Sequence, residues 1–267
     1  MNEHEIRSRR PLPGAEPDGT GGYRLRWSGP ALMGVVNVTP DSFSDGGASL
    51  DPDHAVAAAE RLVDDGATFV DVGGESTRPG ADPTPPEVER RRILPVVERL
   101  VAAGRAVIGV DTRRAEVARD ALAAGAHLIN DVGGLGDPAM REVCAEAGVP
   151  AVAMHMRGEP RTMQDDPRYG DVVAEVEAFL LERAEAAEAA GVPSVLLDPG
   201  WGFGKRDEHN LALLRALPRL AASGRPVLIG ASRKGTIGRW ADEPDPARRD
   251  PGSHVVHLEA ARLGAAV

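Results

Sequence analysis

Short apolar runs alternate with longer amphipathic stretches along most of the chain. The apolar runs lie at residues 31–38, 68–74, 106–111, 127–132, 151–156, 194–200 and 226–232. Most of these runs are continuously apolar, which is typical of strands that are buried on both faces in a parallel sheet covered by helices. The pattern therefore predicts a sheet of parallel strands.

The stretches between the runs predict helices. Ala-rich amphipathic segments lie at residues 52–65, 86–103, 113–124, 138–147, 171–190 and 209–222. Several begin at Asp-Pro or Pro-Pro, which suits a first helical turn, and several end at a glycine, which suits a left-handed stop. The glycines in question are Gly66, Gly104, Gly125, Gly148, Gly191 and Gly224.

Seven strand-then-helix units and the start of an eighth predict an α/β fold, a (β/α)8 TIM barrel rather than an open sheet. The length of 267 residues fits one such barrel of about 250 residues. The last residues, 264–267, only begin an eighth strand, so we expect the eighth strand and the final helix to be truncated.

The beginning of the chain differs from the rest. Residues 1–22 are polar, rich in Gly, Pro and Arg, and lack the apolar core of a signal peptide. We predict a disordered leader over residues 1–22 and a single barrel domain over residues 23–267.

Composition narrows the classes of partner. The net charge of −10 argues against nucleic acid or an anionic membrane as the main partner, and no apolar run approaches the ~20 residues of a membrane helix. The single cysteine, Cys144, cannot form an internal disulfide, which indicates a reducing compartment and predicts a cytoplasmic protein.

Nearly every predicted strand ends in a polar residue. These residues are Asn37, Asp71 with Glu75 beyond it, Asp111, Asn130 with Asp131, His155, Asp198, and Ser232 with Lys234. In a parallel barrel the strand ends lie on one face, where barrel active sites form. One such residue alone is more often a helix cap or a buried hydrogen-bonding group, but seven together favour a site.

Four loops after predicted strands carry candidate chemistry. Residues 37–47 contain hydroxyls, carboxylates and closing glycines, which suits a loop that covers a ligand. In residues 73–80, Arg78 offers a planar set of donors for a carboxylate or a diphosphate. Residues 198–205 place two aromatic residues among glycines, and residues 231–235 resemble an anion site of the kind that barrels form after strands seven and eight.

The acids among the strand ends suggest the shape of the ligand. Asp111 and Asp198, with Asn130, offer hydrogen bonds that a flat amidine-like or guanidine-like edge would satisfy. His155 either orients an acid or is a buried imidazole with its own partner. No group has zinc spacing, but a hard cation held by oxygen ligands and substrate phosphate, as is usual for Mg²⁺, is compatible with the sequence.

Together these segments closely resemble the dihydropteroate synthase family of folate biosynthesis. The matching motifs are MGVVNVTPDSFSDGG at 33–47, VDVGGESTRPGA at 70–81, GVDT at 109–112, INDV at 129–132, MHMRGEPRTMQ at 154–164, LLDPGWGFGK at 196–205 and GASRKGTIG at 230–238. They span nearly the whole chain and are very specific together.

The resemblance implies that 6-hydroxymethyl-7,8-dihydropterin diphosphate loses diphosphate and that the amine of 4-aminobenzoate takes its place. It implies that Asp111, Asn130, Asp198 and Lys234 hold the pterin ring. It implies catalytic roles for Asp111, Lys234 and Asp45, with Asp45 helping to order the first loop once diphosphate leaves.

The resemblance also implies the remaining contacts. Thr77 and Arg78 would contact diphosphate and aminobenzoate, and Asn37 would be a ligand of Mg²⁺. Phe43, Pro79, Phe203 and Ser232 would shape the aminobenzoate pocket. The family further implies a homodimer and competition by sulfonamides.

Two other functions stay open at this point. The family continues after the eighth-strand Gly-Ala with an Arg-Val-His-Asp sequence, whereas this chain ends at residue 267, so a catalytically impaired pterin-binding homologue is one alternative. A pterin-dependent methyl-transfer module shares the barrel, but the loops at 37–47 and 73–80 argue against it.

Overall fold

The computed structural model of the chain describes residues 2–39, 51–76 and 82–267. A parallel sheet of six strands runs through it, and each strand is hydrogen-bonded to the next one along the chain. Its strands are β4 (Met33–Asn37), β5 (Phe69–Gly73), β6 (Val107–Asp111), β7 (Leu128–Asp131), β8 (Ala151–Met154) and β9 (Val195–Asp198). Each strand falls within one of the predicted apolar runs.

The last two strand positions of the barrel are taken by short extended segments. Leu197 of β9 pairs with Val227 through a parallel bridge. The amide of Ala266 donates to the carbonyl of Val227 over 2.8 Å, and the amide of Ala31 donates to the carbonyl of Ala266 over 2.8 Å. These bonds connect the sheet back to its first strand, and the predicted TIM barrel is confirmed. A shortened eighth strand and a missing final helix stay predictions.

Helices cover the outside of the sheet. They are α1 (Pro52–Asp64), α2 (Pro86–Ala103), α3 (Ala115–Ala123), α4 (Pro138–Ala147), α5 (Val172–Ala189), α6 (Asp207–Arg215), α7 (Leu217–Ala221), α8 (Gly235–Trp240) and α9 (Asp250–Arg262), with a 3₁₀ turn at Pro246–Arg248. All six predicted helix-ending glycines have positive φ. The predicted helix at 209–222 is divided into α6 and α7, because Pro218 has no amide hydrogen for a continuous helix.

An antiparallel sheet precedes the barrel, formed by β1 (Glu3–Ser8), β2 (Glu16–Pro17) and β3 (Tyr23–Ser28) in the order β1-β3-β2. The prediction of a disordered leader over residues 1–22 is therefore wrong. Ile6 pairs with Leu25, and both side chains are buried together with Phe69, Leu128 and other residues from the amino ends of the barrel strands.

The physical reason for this difference lies in tertiary contacts. Few residues of the segment are apolar, so its composition resembles that of a disordered chain. Those few apolar residues close the bottom of the barrel, and Arg9 adds side-chain hydrogen bonds to the carbonyls of Ala145 and Gly191 near the ends of α4 and α5.

No helix in the described ranges 2–39, 51–76 and 82–267 combines the length and the apolar character needed to cross a membrane.

The closure of the barrel by β1 predicts that Ile6→Ala destabilises the protein. Ile6 is 0% exposed, and truncation of such a side chain costs about 2–5 kcal/mol of unfolding free energy. Urea unfolding measures the change. Arg7→Ala, on the exposed face of the same strand, is the matched control and should change the value by less than about 0.5 kcal/mol. Equal stability of Ile6→Ala and the wild type would contradict a packed N-terminal sheet.

Candidate active site

The polar strand ends meet at one rim of the barrel. Asn37 ends β4, Asp111 ends β6, Asn130 lies in β7 and Asp198 ends β9. They border a cavity of about 1750 Å³ that opens at the carboxyl ends of the strands and extends beside the first strand to Leu32. This is the face on which barrel enzymes place their active sites.

The structure brings together every predicted site residue that it describes. The residues lining the cavity include Asn37, Asp111, Asn130, Asp198, Phe203, Ser232 and Lys234. The other predicted residues, Phe43, Asp45, Thr77, Arg78 and Pro79, lie outside the described residues. The individual roles stay predictions.

Lys234 supplies a cation to this acidic rim. Its Nζ donates to the carbonyl oxygen of Trp201 over 2.7 Å and lies 4.4 Å from the centre of the Phe203 ring. Burial lowers the pKa of Lys234 to about 8, against the opposing effect of the Asp198 and Asp111 carboxylates. The side chain is therefore mainly protonated at neutral pH and can donate to a ligand.

Burial also acts on the acids of the site. It raises the pKa of Asp111 well above its usual value, and the neighbouring charge of Asp71 adds to the effect. Burial raises the pKa of Asp198, although Lys234 and a hydrogen bond from the Gly200 amide, over 2.7 Å, act in the other direction. A ligand that presents N–H groups or positive charge to these acids would relieve the cost of burying them.

The loop at 199–204 is pressed against the chain that follows β8. Gly200 has φ +68°, and a Cβ there would lie 1.9 Å from the carbonyl oxygen of His155. The buried Lys205 joins the two segments, because its Nζ lies 2.9 Å from His155 Nδ1 and donates to the carbonyls of His155 and Phe203 over 3.1 and 3.0 Å.

This contact decides between the two interpretations of His155. Burial, and next the charge of Lys205, lower the pKa of His155 to about 3, so the imidazole is neutral and its Nδ1 accepts from Lys205. The partner of His155 is an amine and not an acid. The structure therefore favours a buried imidazole with its own partner.

Asn210 connects the same loop to α8. This side chain is 0% exposed; its Oδ1 accepts from the Gly202 amide over 2.9 Å, and its Nδ2 donates to Thr236 Oγ1 over 2.9 Å. Thr236 in turn donates to Asp207. The loop that carries Phe203 and the segment that carries Lys234 are thus held in a fixed relation.

The residues predicted from the sequence do not include Lys205 or Asn210. They include Asp71 only as one of several polar strand ends, without its hydrogen bond to Asn130. Asn210 had a signal, because it shares a helix face with the buried Leu213 and Leu214 at spacings of three and four. Asp71 also had one, because it alternates with Phe69 and Gly73 and must face the same side of its strand. Lys205 had no comparable signal, since its burial depends on contacts distant in sequence.

Gly73 leaves open space beside two side-chain oxygens at the rim of the cavity. A Cβ at this glycine would lie 3.3 Å from Asn37 Oδ1 and 3.7 Å from Asp111 Oδ2, so the glycine leaves space between two oxygen donors. Within the described part of the chain, no cluster of three or more His, Cys, Asp or Glu side chains could hold a metal by itself. The donors fit a hard cation that takes its other ligands from substrate and water.

An α/β barrel whose strand ends gather acids, an amide and a buried lysine around a cavity defines an enzyme of the TIM-barrel class. The sequence model of the family "Pterin binding enzyme" matches residues 33–267. The dihydropteroate synthase of Mycobacterium leprae is 54% identical over 224 residues, which cover 82% of this chain and 78% of that protein.

Solved structures agree with this match. The Xanthomonas albilineans dihydropteroate synthase with 4-aminobenzoic acid has a TM-score of 0.85 and 50% identity, and the alignment covers 91% of this chain and 87% of that one. The Thermus thermophilus enzyme in complex with 4-aminobenzoate has a TM-score of 0.84 and 44% identity, and the alignment covers 98% of this chain and 91% of that one. The chain belongs to the dihydropteroate synthase family of pterin binding enzymes, and it is a transferase; the resemblance of its motifs is confirmed.

The burial of Lys205 predicts a pH-dependent stability. Burial lowers its pKa to about 7, whereas the usual value in an unfolded chain is about 10.4. Between these two values the unfolded chain binds more protons than the folded protein, so the unfolding free energy rises with pH by up to about 1.4 kcal/mol per pH unit.

We expect Lys205→Met to show a smaller slope in urea unfolding measured at pH 7, 8 and 9, because Met does not titrate. The slope that remains belongs to other groups, including Lys234, whose pKa is lowered to about 8. An unchanged slope in Lys205→Met would contradict the assignment.

Proposed function

We propose that the cavity at the carboxyl ends of the strands is where this chain condenses 6-hydroxymethyl-7,8-dihydropterin diphosphate with 4-aminobenzoate to give 7,8-dihydropteroate and diphosphate. The observation that carries the assignment of the site is the convergence of Asp111, Asn130, Asp198 and Lys234 on one cavity. Relatives support it, since solved dihydropteroate synthases include one in complex with 6HMPPP and one in complex with 7,8-dihydropteroate.

The pterin ring would lie among the polar strand ends. Its amino group and ring N–H groups are donors, and Asp111, Asp198 and the amide oxygen of Asn130 are acceptors. Its carbonyl oxygen is an acceptor, and Lys234 is a protonated donor. The buried acids are thus matched by donors of a flat heterocycle, which reduces the cost of keeping them away from water.

The condensation replaces one bond with another. The carbon–oxygen bond between the pterin methylene and diphosphate breaks, and diphosphate leaves with the electron pair. The amine nitrogen of 4-aminobenzoate bonds to the methylene carbon and then loses a proton. Positive charge develops on the pterin as the bond breaks, and the Asp111 carboxylate stabilises it. No residue needs to form a covalent intermediate.

The leaving diphosphate requires positive charge. We propose that Asn37 would be a ligand of a Mg²⁺ ion bound with the substrate; its Oδ1 and Asp111 Oδ2 both face the space that Gly73 leaves. When bound, the ion would neutralise charge on the diphosphate oxygens. Thr77 and Arg78 are proposed to contact the diphosphate and the aminobenzoate.

The aminobenzoate pocket is proposed to form next to the pterin. Phe203 and Ser232 line the same cavity, and Lys234 Nζ lies 4.4 Å from the centre of the Phe203 ring. Phe43 and Pro79 would complete the pocket, and Asp45 would order the first loop. Sulfonamides, which a solved Yersinia pestis relative binds as a drug complex, would compete for this position.

We further propose a cytoplasmic homodimer in which the N-terminal sheet and the barrel form one domain. The free, buried Cys144 supports a reducing compartment.

The proposal predicts turnover that depends on Lys234. The purified protein with the pterin diphosphate, 4-aminobenzoate and Mg²⁺ should form dihydropteroate, measured by chromatography. Lys234→Ala should lower kcat/KM by about 10²–10³-fold, because a preorganised donor is lost. Arg225→Ala, which removes a surface ion pair with Glu188, is the control and should keep the activity. Pterin binding by the folded wild type without any product would instead favour the catalytically impaired homologue.

The metal position yields a separate prediction. Asn37→Ala should raise the Mg²⁺ concentration needed for half-maximal rate by roughly tenfold, because an oxygen ligand is lost. Calorimetry should show that the variant binds pterin without diphosphate as the wild type does. The same Mg²⁺ dependence in both proteins would remove Asn37 from the metal site.

A further inference from the structure

Asp71 is a buried carboxylate that has no role in the mechanism given above. It lies in β5 inside the barrel, with Gly109 as its register neighbour on β6, and is 3% exposed. A Cβ at residue 109 would lie 3.0 Å from Asp71 Oδ1, so a glycine in the next strand provides the space for this acid. Keeping a carboxylate here costs free energy that an apolar side chain would not cost.

The contact that Asp71 makes has a fixed direction. Asn130 Nδ2 donates to Asp71 Oδ2 over 2.8 Å. An ionised carboxylate only accepts hydrogen bonds, whereas an amide has one donor side and one acceptor side. Asp71 therefore determines which side of the Asn130 amide faces the carboxylate and which side faces away from it.

The other side of the amide has no partner. Asn130 Oδ1 is buried, and within the described residues no group donates to it. A buried oxygen in this condition is costly unless a donor reaches it. Asn130 borders the cavity, so a ligand inside the cavity can supply the N–H group.

We infer that Asp71 is a positioning residue that turns the Asn130 amide so that its oxygen, and not its NH₂ group, is offered to the bound heterocycle. The consequence is selectivity. With Asp111, Asp198 and Asn130 all presenting acceptors, the cavity selects a ring edge made of N–H donors and rejects an isosteric edge that carries oxygen. This inference rests on the proposed pterin site and adds to it a residue that acts through another one.

An amide at position 71 would not fix the orientation of the Asn130 side-chain amide. In Asp71→Asn the two amides can pair in either sense, and in one of them Asn130 offers its NH₂ group to the cavity. In Asn130→Asp two carboxylates face each other and repel. In the exchanged pair Asp71→Asn/Asn130→Asp, the residue at 71 donates and the carboxylate at 130 offers its second oxygen to the ligand, so the acceptor is restored.

The test measures dissociation constants at pH 8 by calorimetry for 6-hydroxymethylpterin, which carries an amino group at C2, and for 6-hydroxymethyllumazine, which carries oxygen there. We expect each single variant to bind the pterin about tenfold more weakly than the wild type, with a smaller preference for pterin over lumazine. We expect the exchanged pair to recover most of the affinity and the preference. In turnover, KM for the pterin diphosphate should rise while KM for 4-aminobenzoate changes less than about twofold.

The control is Asp131→Asn. Asp131 is also a buried acid, but it accepts from the amides of Gly133 and Leu135 rather than from Asn130. We expect this variant to lose thermal stability and to keep the pterin preference. Near-UV circular dichroism verifies that every variant is folded before binding is measured.

Two results would overturn the inference: a folded Asp71→Asn variant with the affinity and preference of the wild type, or a folded exchanged pair that recovers neither. Failure of the wild type itself to bind 6-hydroxymethylpterin would instead count against the proposed function. The two failures are therefore distinguishable.

Discussion

The alternation of side chains along the parallel strands is the constraint on which the rest of this structure depends. Every second residue of a barrel strand points inward, so each strand contributes residues at several depths of one interior. In β5 the inward positions are Phe69, Asp71 and Gly73, and in β6 they are Val107, Gly109 and Asp111. The amino ends are apolar and pack on the N-terminal sheet, whereas the carboxyl ends are polar and border the cavity. Each strand therefore contributes both to the apolar packing and to the site. A shift of register by one residue would turn the inward side chains outward and disrupt both.

The acids buried inside the barrel are stabilised by nearby positive charge, and lysines on the surrounding loops supply it. The pKa values of Asp71, Asp111 and Asp198 are raised by burial, and those of Lys205 and Lys234 are lowered by it. Each charge is costly alone, but acids and amines lie near one another, and attraction in a medium of low dielectric offsets part of the desolvation cost. The loop at 199–204 keeps this arrangement in place, because Lys205 and Lys234 both donate to its carbonyls. The same hydrogen bonds therefore hold the loop in place and position the charged groups of the site.

Much of this arrangement could be predicted from the sequence. The apolar runs identify the strands, the glycines identify the helix ends, and the polar ends of the strands identify the rim of the site, because all three follow from local chemistry. The N-terminal sheet could not be predicted, since the burial of Ile6 and Leu25 depends on a surface formed by six strands that are distant in sequence. For the same reason the pairing of Lys205 with His155 was not predicted, although each residue stands in a recognised motif. Roles that depend on the loops at 40–50 and 77–81 come from motif resemblance alone.

Glycine explains how so many polar groups fit into one interior. Gly73 leaves the space between the oxygens of Asn37 and Asp111, and Gly109 leaves the space that Asp71 occupies. Neither position has a positive φ. Glycine is therefore suited to these positions because it has no side chain, and not because of its conformational freedom. Gly200 differs, since its positive φ and its approach to the His155 carbonyl both exclude a Cβ. Strand glycines weaken a sheet, and their presence at the rim indicates that volume for ligands and buried acids outweighs that loss. Gly109 and Asp71 illustrate this relation, because any side chain at position 109 would bring a Cβ to 3.0 Å from Asp71 Oδ1.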